Sequence, residues 1–267
     1  MTSNVIITGA SQGIGKATAR LFAQQGYDLV LAARNVEHLE VTANEIQQLG
    51  RRVLAVPTDV TELSQVQNLI NKALNEYGNI DILINNAGIC LTGRVECTKL
   101  EDWQQLMDTN FWGYLHTINC ILPHFLERGQ GIIVNVGSVG GKVPLPNMTA
   151  YCASKYAVTG LTDNLRLELK PKGIHVGAVH PSVTKSNFMT RAQFRGRDAA
   201  ETENYRQAMS NLLETNTPSQ PEEVAKAIWD VVQHRKNEVV VGSGTMLSTV
   251  YRLFPDLVEW LMSKAVK

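Results

Sequence analysis

The sequence predicts one α/β domain over residues 1–267: a doubly wound parallel sheet of about seven strands with helices on both faces. Three observations predict it. Short apolar runs alternate with amphipathic helical stretches along most of the chain, the pattern of strand-helix-strand units with right-handed crossovers. The first apolar run passes directly into a glycine turn that opens a helix. No linker, low-complexity tract or charge run interrupts the alternation.

Taken in order, Val5, Ile6 and Ile7 form the first strand, and Ala17, Leu21 and Phe22 continue with helical spacing as far as Gly26. Residues 29–33 are a second strand and residues 36–49 a second helix, closed by Gly50. A third strand spans 53–56, and Asp59, Val60 and Thr61 lead into a helix ending near Tyr77 and Gly78. A fourth strand spans 80–84 and runs into Asn85-Asn86-Ala87-Gly88. Thr98 and Glu101 have the spacing of a capping box, so a long helix is expected from there to about Arg128. Residues 129–131 break it, and strand five, 132–136, ends at Gly137 and Ser138. The next helix is expected over 149–169, stopping before Pro171, and strand six over 174–179, stopped by Pro181. Residues 187–217 are polar and irregular, a broken helix. A helix from near Pro221, a strand over 238–241 and an amphipathic tail over about 245–267 complete the chain.

Lysine plus arginine equals aspartate plus glutamate at 25 each, so a nucleic-acid partner is not expected and a small molecule is. No apolar run of about 18 residues occurs, and no basic region precedes Val5. Neither a membrane span nor a signal peptide is expected, and a cytoplasmic location is. Cys90, Cys97, Cys120 and Cys152 form no CxxC pair and the histidines no HExxH; free thiols and no metal are the expectation.

Gly9, Gly13 and Gly15, with Ser11, Gln12 and Ile14 among them, stand where a strand hands over to a helix. There the backbone can approach a pyrophosphate, and the helix N-terminus offers unpaired N–H donors. The spacing is GxxxGxG, and the alternative is a tight loop that binds nothing. At the end of the second strand, where a carboxylate would select NAD, the sequence reads Ala32-Ala33-Arg34-Asn35. A guanidinium there suits a 2′-phosphate, which points to NADP(H); the alternative is an arginine that caps the next helix or is solvated. Gln12 adds no second positive charge. Tyr151 and Lys155, at i and i+4, share one helix face, a pairing that also arises by chance. Ser138 lies just past the carboxyl end of strand five, where open α/β sheets bind ligands.

With the turn from Thr8 to Gly15, Asp59, Asn85-Asn86-Ala87-Gly88, Asn110, Ser138 and Tyr151 with Lys155 in this order, the chain resembles the short-chain dehydrogenase/reductase family over essentially its whole length. The resemblance implies a Rossmann-like fold in which Arg34 and Asn35 meet the adenosine ribose and Asp59 and Val60 the adenine. It implies that Asn86, Ala87 and Gly88 lie beside the cofactor, and that Asn110, Ser138, Tyr151 and Lys155 form a catalytic tetrad. Tyr151 and Lys155 also reach the nicotinamide ribose. Pro181, Val183, Thr184 and Ser186 would hold the carboxamide side; Ser182 stands where the family usually has glycine, which narrows the backbone if φ there is positive.

The implied activity is NADPH-dependent reduction of a carbonyl, or alcohol oxidation in reverse, by hydride transfer between nicotinamide C4 and the carbonyl carbon. Tyr151 would give the proton, Ser138 would steady the oxygen, and Asn110 would hold a water that refills the proton. Lys155 would lower the phenol by roughly 3 pKa units, about 4 kcal/mol. Residues 187–217 would be a substrate lid, apolar at Phe188, Met189, Phe194 and Tyr205, with Arg191, Arg195 and Arg197 either solvated or meeting an anion. The tail would cover the pocket, a neighbouring subunit or a membrane surface, and a homodimer or homotetramer is expected. Reduction of a 3-oxoacyl thioester is one alternative; an NADP(H)-binding sensor without turnover is another.

Overall fold

The computed structural model describes residues 3–215 and 218–264. Strand β1 (Asn4–Thr8) is followed by α1 (Gly13–Gln24), β2 (Asp28–Ala33), α2 (Val36–Gln48), β3 (Val53–Pro57), α3 (Leu63–Tyr77) and β4 (Ile82–Asn85). Then come β5 (Leu91–Gly93), α4 (Leu100–Met107), a π-helical turn (Asp108–Trp112), α5 (Gly113–Arg128), β6 (Gly131–Val136) and α6 (Thr149–Leu169). The chain continues through β7 (Ile174–Pro181), a short helical turn α7 (Asn187–Thr190), β8 (Gln193–Arg195), α8 (Ala199–Thr215), α9 (Pro221–His234) and β9 (Glu238–Val241). It closes on α10 (Gly244–Leu253) and α11 (Pro255–Ser263).

Seven strands form one parallel sheet in the order β3-β2-β1-β4-β6-β7-β9. From β1 the chain winds outward to β3, then crosses back and winds outward the other way from β4. The crevice at the carboxyl ends of β1 and β4 is where such sheets take ligands. Every residue of β1, β2, β4 and β6 is buried, because helices cover both faces. On one face Phe22, Ile46, Ile228 and Val231 pack from α1, α2 and α9. On the other, Leu69, Ile121, Phe125 and Leu169 pack from α3, α5 and α6. A third apolar cluster lies beyond the carboxyl edge, joining Cys90, Leu91, Met148, Tyr151 and Phe194.

Three details depart from the sequence reading. The capping carboxylate of α4 is one residue later than expected: Asp102 accepts from the Lys99 backbone N–H at 3.0 Å, while the Thr98 hydroxyl donates to the Arg94 carbonyl. The expected long helical region is continuous from Leu100 to Arg128, but it contains the π-helical turn at Asp108–Trp112, which the sequence did not announce. Residues 187–215 are more ordered than the polar pattern suggested, since β8 pairs in parallel with β5 through Leu91↔Gln193 and Gly93↔Arg195. Of the expected lid, Asn216 and Thr217 lie outside the described residues, as do residues 265–267 of the tail.

Candidate active site

A cavity of about 790 Å³ opens over the carboxyl ends of β1 and β4. Its floor is backbone. Gly9 has φ +64°, and a Cβ there would stand 2.9 Å from both the Ala87 Cα and the Asn86 Nδ2. A Cβ on Gly15 would stand 2.2 Å from the Gly9 carbonyl oxygen, so only glycine lets α1 start this close to the turn. Asn86 ties β4 to the turn: its Nδ2 donates to the carbonyls of Thr8 and Gly9 at 3.0 and 3.2 Å. The Thr8 hydroxyl in turn accepts from the backbone N–H groups of Asn86 and Ala87 at 3.0 and 3.1 Å. Gly9, Ser11, Gln12, Gly13, Ile14, Asn86, Ala87 and Gly88 all line the cavity; Gly15 does not, and serves the packing beneath it. This concave, side-chain-poor turn at a helix N-terminus fits a pyrophosphate.

At the same end, Arg34, Asn35, Asp59 and Val60 line the wall. The Asn35 side chain accepts from the His38 N–H at 2.7 Å and caps α2, so the capping role considered for Arg34 is taken by its neighbour. The Arg34 guanidinium is 59% exposed and 3.8 Å from the Asp59 carboxylate, a pair too solvated to hold it firmly. Behind the cavity, Asn85, Asn135 and Thr162 form a buried polar ladder, with Asn85 Nδ2 to Asn135 Oδ1 at 3.0 Å and Asn135 Nδ2 to Thr162 Oγ1 at 2.9 Å.

The middle of the cavity is where Ser138, Tyr151 and Lys155 converge. Ser138 ends the turn after β6, and its hydroxyl accepts from the Gly140 N–H at 3.1 Å. Burial pushes the Tyr151 phenol well above its ordinary value; the nearby Cys90 adds to this, and the Ser138 hydroxyl opposes it. The Lys155 ammonium donates to the Val136 carbonyl at 3.1 Å, beside the Tyr114 hydroxyl that donates to the same oxygen at 2.9 Å. It lies 5.9 Å from the Tyr151 ring centroid, and burial draws its own pKa down to about 8. Burial is the largest influence on both groups, raising the phenol and lowering the ammonium.

Asn110 lies in the π-helical turn and is fully buried. Its Oδ1 accepts from the Ile89 N–H at 2.8 Å, and its Nδ2 donates to the Ile89 carbonyl at 3.0 Å and the Ser154 hydroxyl at 2.9 Å. The amide expected to hold a water is thus engaged by protein at both ends, and it braces the loop after β4 against α6.

Pro181, Val183, Thr184 and Ser186 line the opposite wall, with Ser186 facing Gly13. Asn147 and Arg235 are the positive-φ non-glycine residues among those described, so Ser182 sits in ordinary backbone and carries no strain. His180, which sequence reasoning passed over, is buried behind Ser138 with its Nδ1 3.3 Å from the Ser138 carbonyl. Burial pushes it down to about 4, and the nearby Lys142 acts in the same direction.

Away from the glycine turn the lining is largely apolar, with Thr92, Asn147 and Ser243 among it. Phe188, Met189, Tyr205 and Met209 enter from residues 187–215, and Leu247 and Met262 from α10 and α11. Phe194 packs in the adjoining cluster instead. Arg195 and Arg197 do not face the cavity: Arg195 pairs with Asp102 through Nε at 3.0 Å, and Arg197 with Glu201 at 3.2 Å. Arg191 does face it, at the glycine turn. Its position came from tertiary folding, and no motif in the sequence announced it.

Comparison with known proteins agrees with this geometry. The short chain dehydrogenase family model matches residues 3–197. An uncharacterised oxidoreductase of Staphylococcus saprophyticus is 42% identical over 166 residues, which are 61% of this chain and 66% of that protein. A short-chain dehydrogenase/reductase of Burkholderia phymatum, solved in complex with NAD, superposes with a TM-score of 0.87 at 27% identity over 97% of this chain and 95% of that one. An actinorhodin polyketide ketoreductase variant with NADPH gives a TM-score of 0.79 at 28% identity over 91% and 97%.

Proposed function

The chain belongs to the short chain dehydrogenase family of oxidoreductases, with a Rossmann-like fold, and we propose that it is an NADPH-dependent reductase of apolar ketones or aldehydes. The observation that carries this reading is a buried phenol, Tyr151, lining one cavity with Ser138 and Lys155, between a backbone cradle and a largely apolar wall. The nicotinamide cofactor, when bound, supplies the hydride. Gly9, Ser11, Gly13 and Ile14 would hold its pyrophosphate, Arg34 and Asn35 its adenosine 2′-phosphate, Asp59 and Val60 its adenine, and Thr184 and Ser186 its carboxamide side.

Tyr151 gives its proton to the carbonyl oxygen, and Ser138 donates a hydrogen bond to the same oxygen, where negative charge develops. Burial moves the phenol upward from its ordinary value, so it holds its proton at neutral pH and has it available for the developing alkoxide. Lys155 would offer its ammonium to the nicotinamide ribose, and Asn110 acts as a positioning residue for the α6 turn that carries Tyr151. Phe188, Met189, Met209, Leu247 and Met262 support an apolar substrate; methionines adapt to varied shapes. Exposed Trp112, Leu126, Tyr156 and Leu167, at and beyond the π-helical turn on α5 and α6, support a homodimer or homotetramer.

The test follows NADPH and NADH oxidation separately with apolar ketones, aldehydes and 3-oxoacyl thioesters. The expected result is turnover of the apolar carbonyls with NADPH at least about tenfold above NADH, a difference of about 1.4 kcal/mol. Equal use of both cofactors contradicts the role of Arg34. Tight NADPH binding without turnover on the whole panel would leave a binding protein in place of an enzyme.

A further inference from the structure

The glycine turn carries no cation of its own, since the residue before Gly13 is the neutral Gln12. In the fold a cation nevertheless arrives there. With its carboxamide oxygen turned toward the opposite wall, Gln12 accepts from both terminal nitrogens of Arg191, one of them at 3.0 Å. Arg191 directly follows α7. Arg34 comes to the same region from the end of β2, and both guanidiniums line the cavity with Gln12 and Asp59. Burial lowers the pKa of Arg191, and the charge of Arg34 lowers it further, so the two cations feel one another across this end of the cavity. Like charges brought together on one wall raise the free energy of the protein, and a dianion placed between them relieves it. Guanidinium groups suit a phosphate because each can offer two parallel N–H donors.

We propose that Arg191 is a second specificity-determining residue for the cofactor, leaving the Gln12 amide to grip the adenosine 2′-phosphate together with Arg34. This rests on the NADP(H) reading of Arg34. It also gives residues 187–215 a second role, because the segment that presents Phe188 and Met189 to the substrate is drawn to the glycine turn by the cofactor's phosphate. A cofactor lacking that phosphate would bind without fixing this wall.

The test uses the full chain and two small probes, adenosine 2′,5′-bisphosphate and 5′-AMP, with affinities measured by titration calorimetry. Arg191→Gln is expected to weaken the bisphosphate about tenfold and 5′-AMP by less than about twofold. Gln12→Lys placed in the Arg191→Gln background supplies a cation at the same point and is expected to recover most of that loss. Arg191 is only partly covered at the cavity wall and belongs to no core cluster, so its substitution should leave the thermal midpoint nearly unchanged. If Arg191→Gln leaves bisphosphate binding unchanged, or weakens both probes equally, the proposal is overturned. Arg34→Gln separates the two ideas. Loss of bisphosphate preference in Arg34→Gln but not in Arg191→Gln refutes only the role of Arg191. A wild-type protein that binds both probes alike, with Arg34→Gln changing nothing, refutes the NADP(H) reading and Arg191's role with it.

Discussion

The two ends of the cavity are built from different material. The end at β1 and β4 is backbone: glycines where a Cβ would collide with the main chain, a helix N-terminus, and an asparagine stitching two strand ends together. The end beyond Tyr151 is side chain, with Phe188, Met189, Tyr205, Leu247 and Met262 drawn from separate helical segments late in the chain. Backbone sites tolerate no change of shape, whereas a wall of flexible apolar side chains can be re-cut one residue at a time. In the proposed reading, one end would hold the cofactor and the other would be free to differ in the carbonyl compound it admits.

The strongest way to break that contrast is to place a methyl group in the backbone end. In Gly15→Ala the new Cβ would lie 2.2 Å from the Gly9 carbonyl oxygen, so the turn must move. We expect NADPH affinity to fall about 100-fold, or about 3 kcal/mol, with a lower thermal midpoint, both read by fluorescence titration and melting. Wild-type binding would mean that the turn is softer than its geometry. The opposite end should respond differently. Met189→Ala and Leu247→Ala are each expected to raise KM for a bulky ketone about tenfold while leaving kcat and the NADPH Kd within about twofold. If cofactor affinity moves with KM, the two ends are not separable.

The smallest effect concerns Lys155, where the two ends meet. Its charged form is the protonated one, and burial brings its pKa to about 8, so its ammonium is lost as pH rises through that value. The phenol of Tyr151 stays protonated over the same range. Measured as kcat/KM for NADPH, which reports groups of the free enzyme, the reductive rate should decline by about twofold from pH 7 to 8 and continue down above it. A profile flat to pH 10 would assign the charge elsewhere.

The same contrast explains what the sequence made legible. Gly9, Gly13 and Gly15 can be read in a linear chain because a backbone cradle demands one residue type at fixed spacing, and the strands of the seven-stranded sheet could be found from their apolar runs. The three-residue strands β5 and β8 could not, since Leu91–Gly93 and Gln193–Arg195 are too short to show a period. Arg195 and Arg197 were candidates for an anion until the fold gave them Asp102 and Glu201; Arg191, with no distinguishing context in the sequence, is the one that turns inward. The upward push on the Tyr151 phenol was also hidden, because desolvation depends on everything packed around it and not on Lys155 being four residues away.

The central claim is that Tyr151 gives the proton and takes little part in holding the cofactor. Tyr151→Phe removes one hydroxyl from a buried ring and keeps its packing against Phe188, whose ring centroid lies 6.4 Å away. Single-turnover and steady-state rates with NADPH and an apolar ketone, measured beside the NADPH Kd, should show kcat reduced about 1,000-fold with Kd within about twofold of wild type. A variant that keeps the wild-type kcat would contradict the assignment of the proton donor and, with it, the reading of this cavity as a carbonyl-reducing site.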